Sequence, residues 1–341
     1  MESISLNKFQ LVLQKAIDLN VSDIHLSAEN YIFFRRKNTL KINKNNFFSN
    51  EEIICILKQI LTKFQWDLLE KQKVLDCVYA YANRRFRLNI FMAKRTFQMA
   101  IRLISKNILN INSFITADIL KKQLQKNKGL ILICGATGTG KSTTLASMLD
   151  YMNQFYTKHI ITLEDPIEYI FNNAKSLIQQ REYNEDFYDF SQAVKMALRQ
   201  DPDILMIGEI RDTLTMKATL TAAETGHLVL GTLHAGSVVE ALSRMESFFQ
   251  SNEQNTIFTQ IAQSLNCIIV QKLLPTVNDE LVCCMEILLA ISSVKNIIRQ
   301  GQNQQLISQM QLNRQKGMQT MQDSIDYCLE HNIIDKTVIG K

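Results

Sequence analysis

The sequence predicts an α/β protein: an α+β module over residues 1–110, then a parallel sheet flanked by helices. Three observations carry this. A glycine-rich phosphate-loop pattern sits between a buried-strand run and a helix. From Gly129 onward the order strand–loop–helix repeats. Before that point short alternating runs mix with helical stripes.

In chain order, Phe9, Leu11, Leu13, Ala16 and Ile17 form a first helical stripe. Asp23-Ile24-His25-Leu26 and Tyr31 to Phe34 read as strands. Ile53, Leu57, Ile60 and Leu61 form a second helical stripe, and Arg85 to Phe91 a further strand. Alternation along that strand places Arg85, Arg87 and Asn89 on one face and Phe86 and Leu88 on the other. Lys106 to Lys128 is polar and rich in Asn and Lys, so 111–128 reads as a linker between the module and the domain 129–341. Leu130 to Cys134, His159 to Leu163 and Ile204 to Gly208 are apolar runs of buried-strand length, and Ser142 to Asp150 continues the first as a helix. From about Asn255 the chain is Gln-rich with apolar residues at helical spacing, and is expected to be helical. No repeat of solenoid period occurs.

The composition excludes several classes. With 46% hydrophobic and 21% charged residues, the chain has ample apolar side chain for a core, which excludes disorder as its main state. A net charge of +5 over 341 residues, without a dense Lys/Arg stripe interleaved with aromatics, argues against nucleic acid as a partner. Seven cysteines form no CxxC pair, which reads as reduced thiols rather than disulfides or structural zinc. No apolar run has the length of a signal peptide or a membrane helix, so the expectation is a cytoplasmic protein without direct membrane insertion.

Gly135-Ala136-Thr137-Gly138-Thr139-Gly140-Lys141-Ser142-Thr143 fits G-x-x-x-x-G-K-[ST] in the strand-before, helix-after context that the motif requires. Glycines let successive backbone N–H groups curl around phosphate oxygens, and the helix N-terminus adds partial positive charge. Lys141 is expected at the β- and γ-phosphates of ATP and the Ser142 hydroxyl on Mg²⁺. Hydrolysis also needs a carboxylate at the phosphate end of a neighbouring strand. Glu209, directly after Ile204-Leu205-Met206-Ile207-Gly208, is the leading candidate for polarising the attacking water. Glu164-Asp165-Pro166-Ile167-Glu168 crowds three carboxylates around a proline turn, which points to Mg²⁺ or water positioning.

Three further segments carry a family signature. Ile161-Thr162-Leu163-Glu164-Asp165-Pro166-Ile167-Glu168, then Leu198 to Asp212, then Gly226-His227-Leu228-Val229-Leu230-Gly231-Thr232-Leu233-His234 resemble the Asp box, Walker B segment and His box of secretion-superfamily ATPases. Within that family the chain is similar to the type IV pilus retraction motors, from Val21-Ser22-Asp23-Ile24-His25-Leu26-Ser27 to Lys295-Asn296-Ile297-Ile298-Arg299-Gln300. Its short length gives the expectation that it has no extra N-terminal domain, and it shows no four-cysteine insertion like that of the extension motors.

The resemblance implies an N-terminal PAS-like domain joined to a RecA-like ATPase domain with a helical C-terminal region, assembled as a homohexamer. It implies that Glu209 and Glu164 serve hydrolysis, with Ser142 as metal-site residues. His227 and His234 would couple the nucleotide to the subunit interface, and Arg85, Arg95 and Arg102 would reach phosphates. The implied partner is the inner-membrane pilus platform protein, which would recruit the ring to the cytoplasmic face of that membrane, with a paralogous pilus ATPase as a further partner. The alternatives within the family are an accessory retraction ATPase and an ATPase of a type II or type IV secretion system. Two departures stand out: Ala235-Gly236 follows His234 where Thr-Ser is common, and Ala28-Glu29-Asn30-Tyr31, followed by Arg35-Arg36-Lys37, lacks a Gly-Pro turn.

Overall fold

In the computed structural model the chain divides into two compact units, Met1–Asn107 and Ile108–Lys341. Residues 2–36, 39–104, 107–278 and 280–338 are described; Lys37 of the basic trio and Lys106 of the polar stretch lie outside them.

The first unit runs α1 (Glu2–Asp18), β1 (Asp23–Ser27), β2 (Tyr31–Arg36), β3 (Thr39–Phe47), α2 (Asn50–Ile60), α3 (Lys63–Gln72), β4 (Val74–Tyr81), β5 (Arg84–Ala93) and β6 (Thr96–Leu103). Its six strands form one sheet in the order β3-β2-β1-β6-β5-β4, antiparallel at every pairing. The helices form where the local signals require them. Phe9, Val12, Leu13 and Ala16 recur at helical spacing along α1 and are fully buried. A capping box between Ser49 and Glu52 starts α2, and another between Thr62 and Gln65 starts α3. The buried stripes of α1 and α2 cover one face of the sheet, meeting Ile24, Leu26, Phe34, Phe86, Leu88 and Ile101 in a single core. Each fully buried Leu, Ile or Phe of this kind contributes about 1.5–3 kcal/mol. Arg85, Arg87 and Asn89 lie on the opposite, partly exposed face.

The second unit runs α4 (Ala117–Leu124), β7 (Gly129–Cys134), α5 (Lys141–Phe155), β8 (His159–Glu164), β9 (Leu177–Glu182), α6 (Phe190–Ala197), β10 (Ile204–Ile207), α7 (Thr213–Glu224), β11 (Leu228–Leu233), α8 (Val238–Ser247), α9 (Gln254–Ser264), β12 (Leu265–Pro275), β13 (Leu281–Leu289), α10 (Ser292–Arg299), α11 (Leu306–Leu312) and α12 (Met321–Glu330). Its seven strands lie in the order β13-β12-β7-β11-β10-β8-β9, parallel except for the antiparallel pair β12–β13. Every residue of β7 is buried, and alternate side chains feed two different cores. Leu130, Leu132 and Cys134 join one built with α7, α8 and α9, while Ile131 and Ile133 join another built with α5. A strand covered on both faces is a continuous apolar run, which is why Leu130 to Cys134 reads as one.

Two expectations are corrected. The segment 111–128 is not a linker: Ala117–Leu124 is a helix whose Leu120 and Leu124 pack, with Ile111 and Phe114, against α5 in the second core. Its lysines conceal a narrow apolar stripe at i, i+4. The C-terminal region is not helical throughout, because β12 and β13 form a hairpin inside it and extend the sheet beside β7. Cys267 to Val270 is buried as fully as β7 itself, and a short apolar run does not by its periodicity distinguish a buried strand from a buried helix.

Candidate active site

The phosphate loop leaves β7 at Cys134 and enters α5 at Lys141, with Gly140 in the left-handed conformation at the helix N-cap. Gly135 has no alternative residue: its φ is +149°, and a Cβ would lie 2.4 Å from Thr139 Oγ1 and 2.9 Å from the Gln271 carbonyl oxygen. Lys141 Nζ donates to the carbonyls of Gly135 (2.8 Å) and Ala136 (2.9 Å), so the ammonium lies along the loop. Burial draws Lys141 below the ordinary lysine value, while Glu209 and Cys134 pull the other way. Ala136, Thr137, Gly138 and Ser142 are exposed at this end of the sheet, Thr139 and Gly140 partly so. Thr143 Oγ1 meets the Tyr169 hydroxyl at 2.9 Å, and Thr144 Oγ1 accepts from Gln271 Nε2 at 2.7 Å, which ties the first turn of α5 to β12 and to the segment after β8.

Glu209 and Glu164 stand at the ends of adjacent parallel strands, since Ile207 pairs with Leu163. Gly208 N donates to Leu163 O at 2.8 Å, and Gly208 approaches so closely that a Cβ would lie 3.1 Å from Leu163 O and 3.3 Å from Glu164 Cα. Glu209 is held at both oxygens: Arg211 Nη2 donates to Oε2 at 2.8 Å, and His234 Nε2 lies 3.3 Å from Oε1. Burial pushes the Glu209 carboxyl up, but Arg211, His234 and Lys141 outweigh it and hold the group below the ordinary glutamate value. Glu164 has the opposite environment. It is 7% exposed, its Oε1 accepts from Thr162 Oγ1 (2.7 Å) and Gln180 Nε2 (3.0 Å), and burial pushes it up to about 7 despite those bonds. Two carboxylates with separated proton affinities therefore share one end of the sheet.

The two histidines are not brought together. They flank β11, with His234 beside Glu209 at the phosphate end and His227 roughly 20 Å away at the other, by strand rise. His227 Nδ1 lies 3.1 Å from Ala222 O, and Gly129 N donates to the His227 carbonyl. The arginines of the first unit are also separated. Arg102 pairs across strands with Arg87, and its Nε bonds Asp23 Oδ1 at 2.8 Å. Arg85 is near the same end of the β5–β6 hairpin. Arg95 is at the tip, where Lys94 and Arg95 both take positive φ in a two-residue turn.

The residues present fit a divalent cation held chiefly by phosphate. Among the described residues no group of three or more His, Cys, Asp or Glu side chains could hold a metal alone, and Ser142 is exposed in the first turn of α5. Arg211, Gln180 and Tyr169 belong to the site and escape the motif reading. For Arg211 the signal was its place two residues after Glu209. For Gln180 none was available, because β9 is polar and partly exposed.

A family model described as type II/IV secretion system protein matches residues 6–325. The type IV pilus retraction ATPase PilT of Pseudomonas aeruginosa is 34% identical over 94% of this chain and 92% of its own. A twitching motility protein of Neisseria gonorrhoeae is 36% identical over 84% of this chain and 77% of its own. The crystal structure of the pilus retraction motor PilT with bound ADP matches with a TM-score of 0.87 at 34% identity, covering 96% of this chain and 94% of that one. Both units take part in these matches, and the phosphate loop with its paired carboxylates is the site such relatives would need: the chain belongs to the type II/IV secretion system protein family, among pilus retraction ATPases.

Proposed function

We propose that this protein hydrolyses ATP as a homohexameric motor that powers type IV pilus retraction. The observation that carries the chemistry is Glu209, held at both oxygens, by Arg211 and His234, just past the end of β10. The pilus reading is supported by similarity over both units to retraction ATPases. In this reading the first unit is PAS-like and the second RecA-like, consistent with an antiparallel sheet covered on one face and a parallel sheet covered on both.

The loop amides and Lys141 bind the β- and γ-phosphates. Glu209, lacking a proton at neutral pH, accepts a hydrogen bond from the attacking water and orients it in line with the γ-phosphate. Glu164, buried and near neutrality, holds or releases a proton beside it. Ser142, with Glu164 and Glu209, would hold Mg²⁺, which when bound neutralises charge on the phosphates. Arg85, Arg95 and Arg102, carried on the first unit, would add positive charge to a phosphate site when the ring closes. The reading places the ring at the cytoplasmic face of the inner membrane against the pilus platform protein, with a paralogous pilus ATPase as a second partner. Among the described residues no helix is long and apolar enough to cross a membrane.

The test is complementation of a piliated strain that lacks its own retraction ATPase. Restored twitching with the wild-type gene, and none with Glu209→Gln, is expected. ATP hydrolysis by the purified protein without restored twitching would favour a secretion ATPase instead.

A further inference from the structure

Glu209 lies outside the ladder of β10, on a backbone anchored by Gly208 N to Leu163 O (2.8 Å) and Ile210 N to Thr232 O (3.0 Å). An anchored backbone does not fix a carboxylate that is three rotatable bonds away. His234 Nε2 stands 3.3 Å from Oε1, and the guanidinium of Arg211 holds the other oxygen: Nη2 donates to Glu209 Oε2 at 2.8 Å, and Nη1 donates to Asp165 Oδ2 at 3.1 Å. Both nitrogens belong to one rigid plane, so the fork sets the two carboxylates in fixed relation. It also joins the segment carrying Glu209 to the end of β8, where Glu164 precedes Asp165. Arg211 is half exposed, and ion pairs of that exposure contribute little to fold stability. Its consequence lies in where it holds Glu209.

We propose that Arg211 is a positioning residue for hydrolysis, its guanidinium bridging Asp165 to Glu209 through Oε2 and leaving Oε1 of Glu209 clear of the guanidinium. The inference rests on the reading of Glu209 as the water-orienting carboxylate. A lysine cannot replace the bridge, because a single ammonium keeps the charge but lacks the planar fork.

Steady-state kinetics of Arg211→Ala, Arg211→Lys, Glu209→Gln and the double variant Glu209→Gln/Arg211→Ala test this, with ADP affinity measured by equilibrium binding. Arg211→Ala should lower kcat by about 10- to 10²-fold, as small misplacements of a reacting group do. KM and ADP affinity should stay within about twofold of wild type, since positioning acts on the transition state. Arg211→Lys should not restore the rate. In the Glu209→Gln background, removing Arg211 should cost nothing further, because there is no carboxylate left to position. Wild-type kcat in Arg211→Ala, full rescue by lysine, or a second, additive loss in the double variant would each overturn the inference while leaving Glu209 in its role. Undiminished turnover in Glu209→Gln alone would instead overturn the reading beneath it.

Discussion

His234 Nε2 stands 3.3 Å from Glu209 Oε1, the oxygen that Arg211 leaves open. Burial, reinforced by Lys141, holds the imidazole below the ordinary histidine value although Glu209 pulls it up. An ionised carboxylate is acceptor-only, so His234 is the donor and Nε2 carries its proton.

That contact separates the two histidines functionally. His234→Ala should lower ATP turnover by about tenfold or more while nucleotide still binds. His227→Ala, at the far end of β11, should change the turnover of the assembled ring far less. Equal losses in the two variants, measured as phosphate release at saturating ATP, would show that position along the strand is irrelevant.

Lys141→Ala should abolish nucleotide binding, because it removes the cation lying along the phosphate cradle. Glu209→Gln should retain ATP while turnover falls roughly 10²-fold or more, as expected for neutralising a water-orienting carboxylate. Equilibrium binding of a fluorescent ATP analogue beside single-turnover hydrolysis distinguishes them. Loss of binding in both would make Glu209 structural.

Glu164 should cost stability above neutral pH in the metal- and nucleotide-free protein. Its folded value, about 7, lies above the ordinary value of 4.5, so between these the native state binds more protons than the unfolded chain. Stability then falls as pH rises through that window, by up to about 3 kcal/mol, and levels off above it. Glu164→Gln keeps the acceptor for Thr162 and Gln180 but has no proton to lose. Its unfolding midpoint should match wild type near pH 4.5 and exceed it at pH 8. Parallel curves for the two proteins from pH 5 to 8 would refute the assignment.

Arg95→Ala should reduce hydrolysis by the hexamer by about 10²-fold or more, with ADP affinity nearly unchanged, because ADP lacks the γ-phosphate. Arg102→Ala should have a smaller effect, since its Nε already bonds Asp23. The comparison requires a solution mass in Mg·ATP near six times 39.2 kDa. Wild-type turnover in both variants would reduce these arginines to a solvated face.

The legible parts of the site are those written in one stretch of chain. The phosphate loop is contiguous, and Glu209 directly follows an apolar run, so a pattern finds both. Arg211, Gln180 and Tyr169 meet partners from segments distant in the chain, and Gln180 lies on a strand too polar to announce itself. The fold follows the same division. Helical stripes on α1 and α2 are visible because one face is buried and one is not. The β12–β13 hairpin hides its period because β12 is buried along most of its length, and α4 because it is only eight residues long and carries Lys121 and Lys122 in its last turn.

Gly208 sets the gauge between the tracks that carry Glu209 and Glu164. Backbone meets backbone there at van der Waals contact, with only a hydrogen where a methyl would stand. The Gly208 N–Leu163 O hydrogen bond, at 2.8 Å, already holds the strands at ladder spacing. An aspartate at 209 would be shorter by one methylene, and that lost reach could not be recovered by drawing the tracks together. Length at position 209 is as firmly specified as charge, and the substitution most often regarded as conservative for a carboxylate is not conservative in this protein.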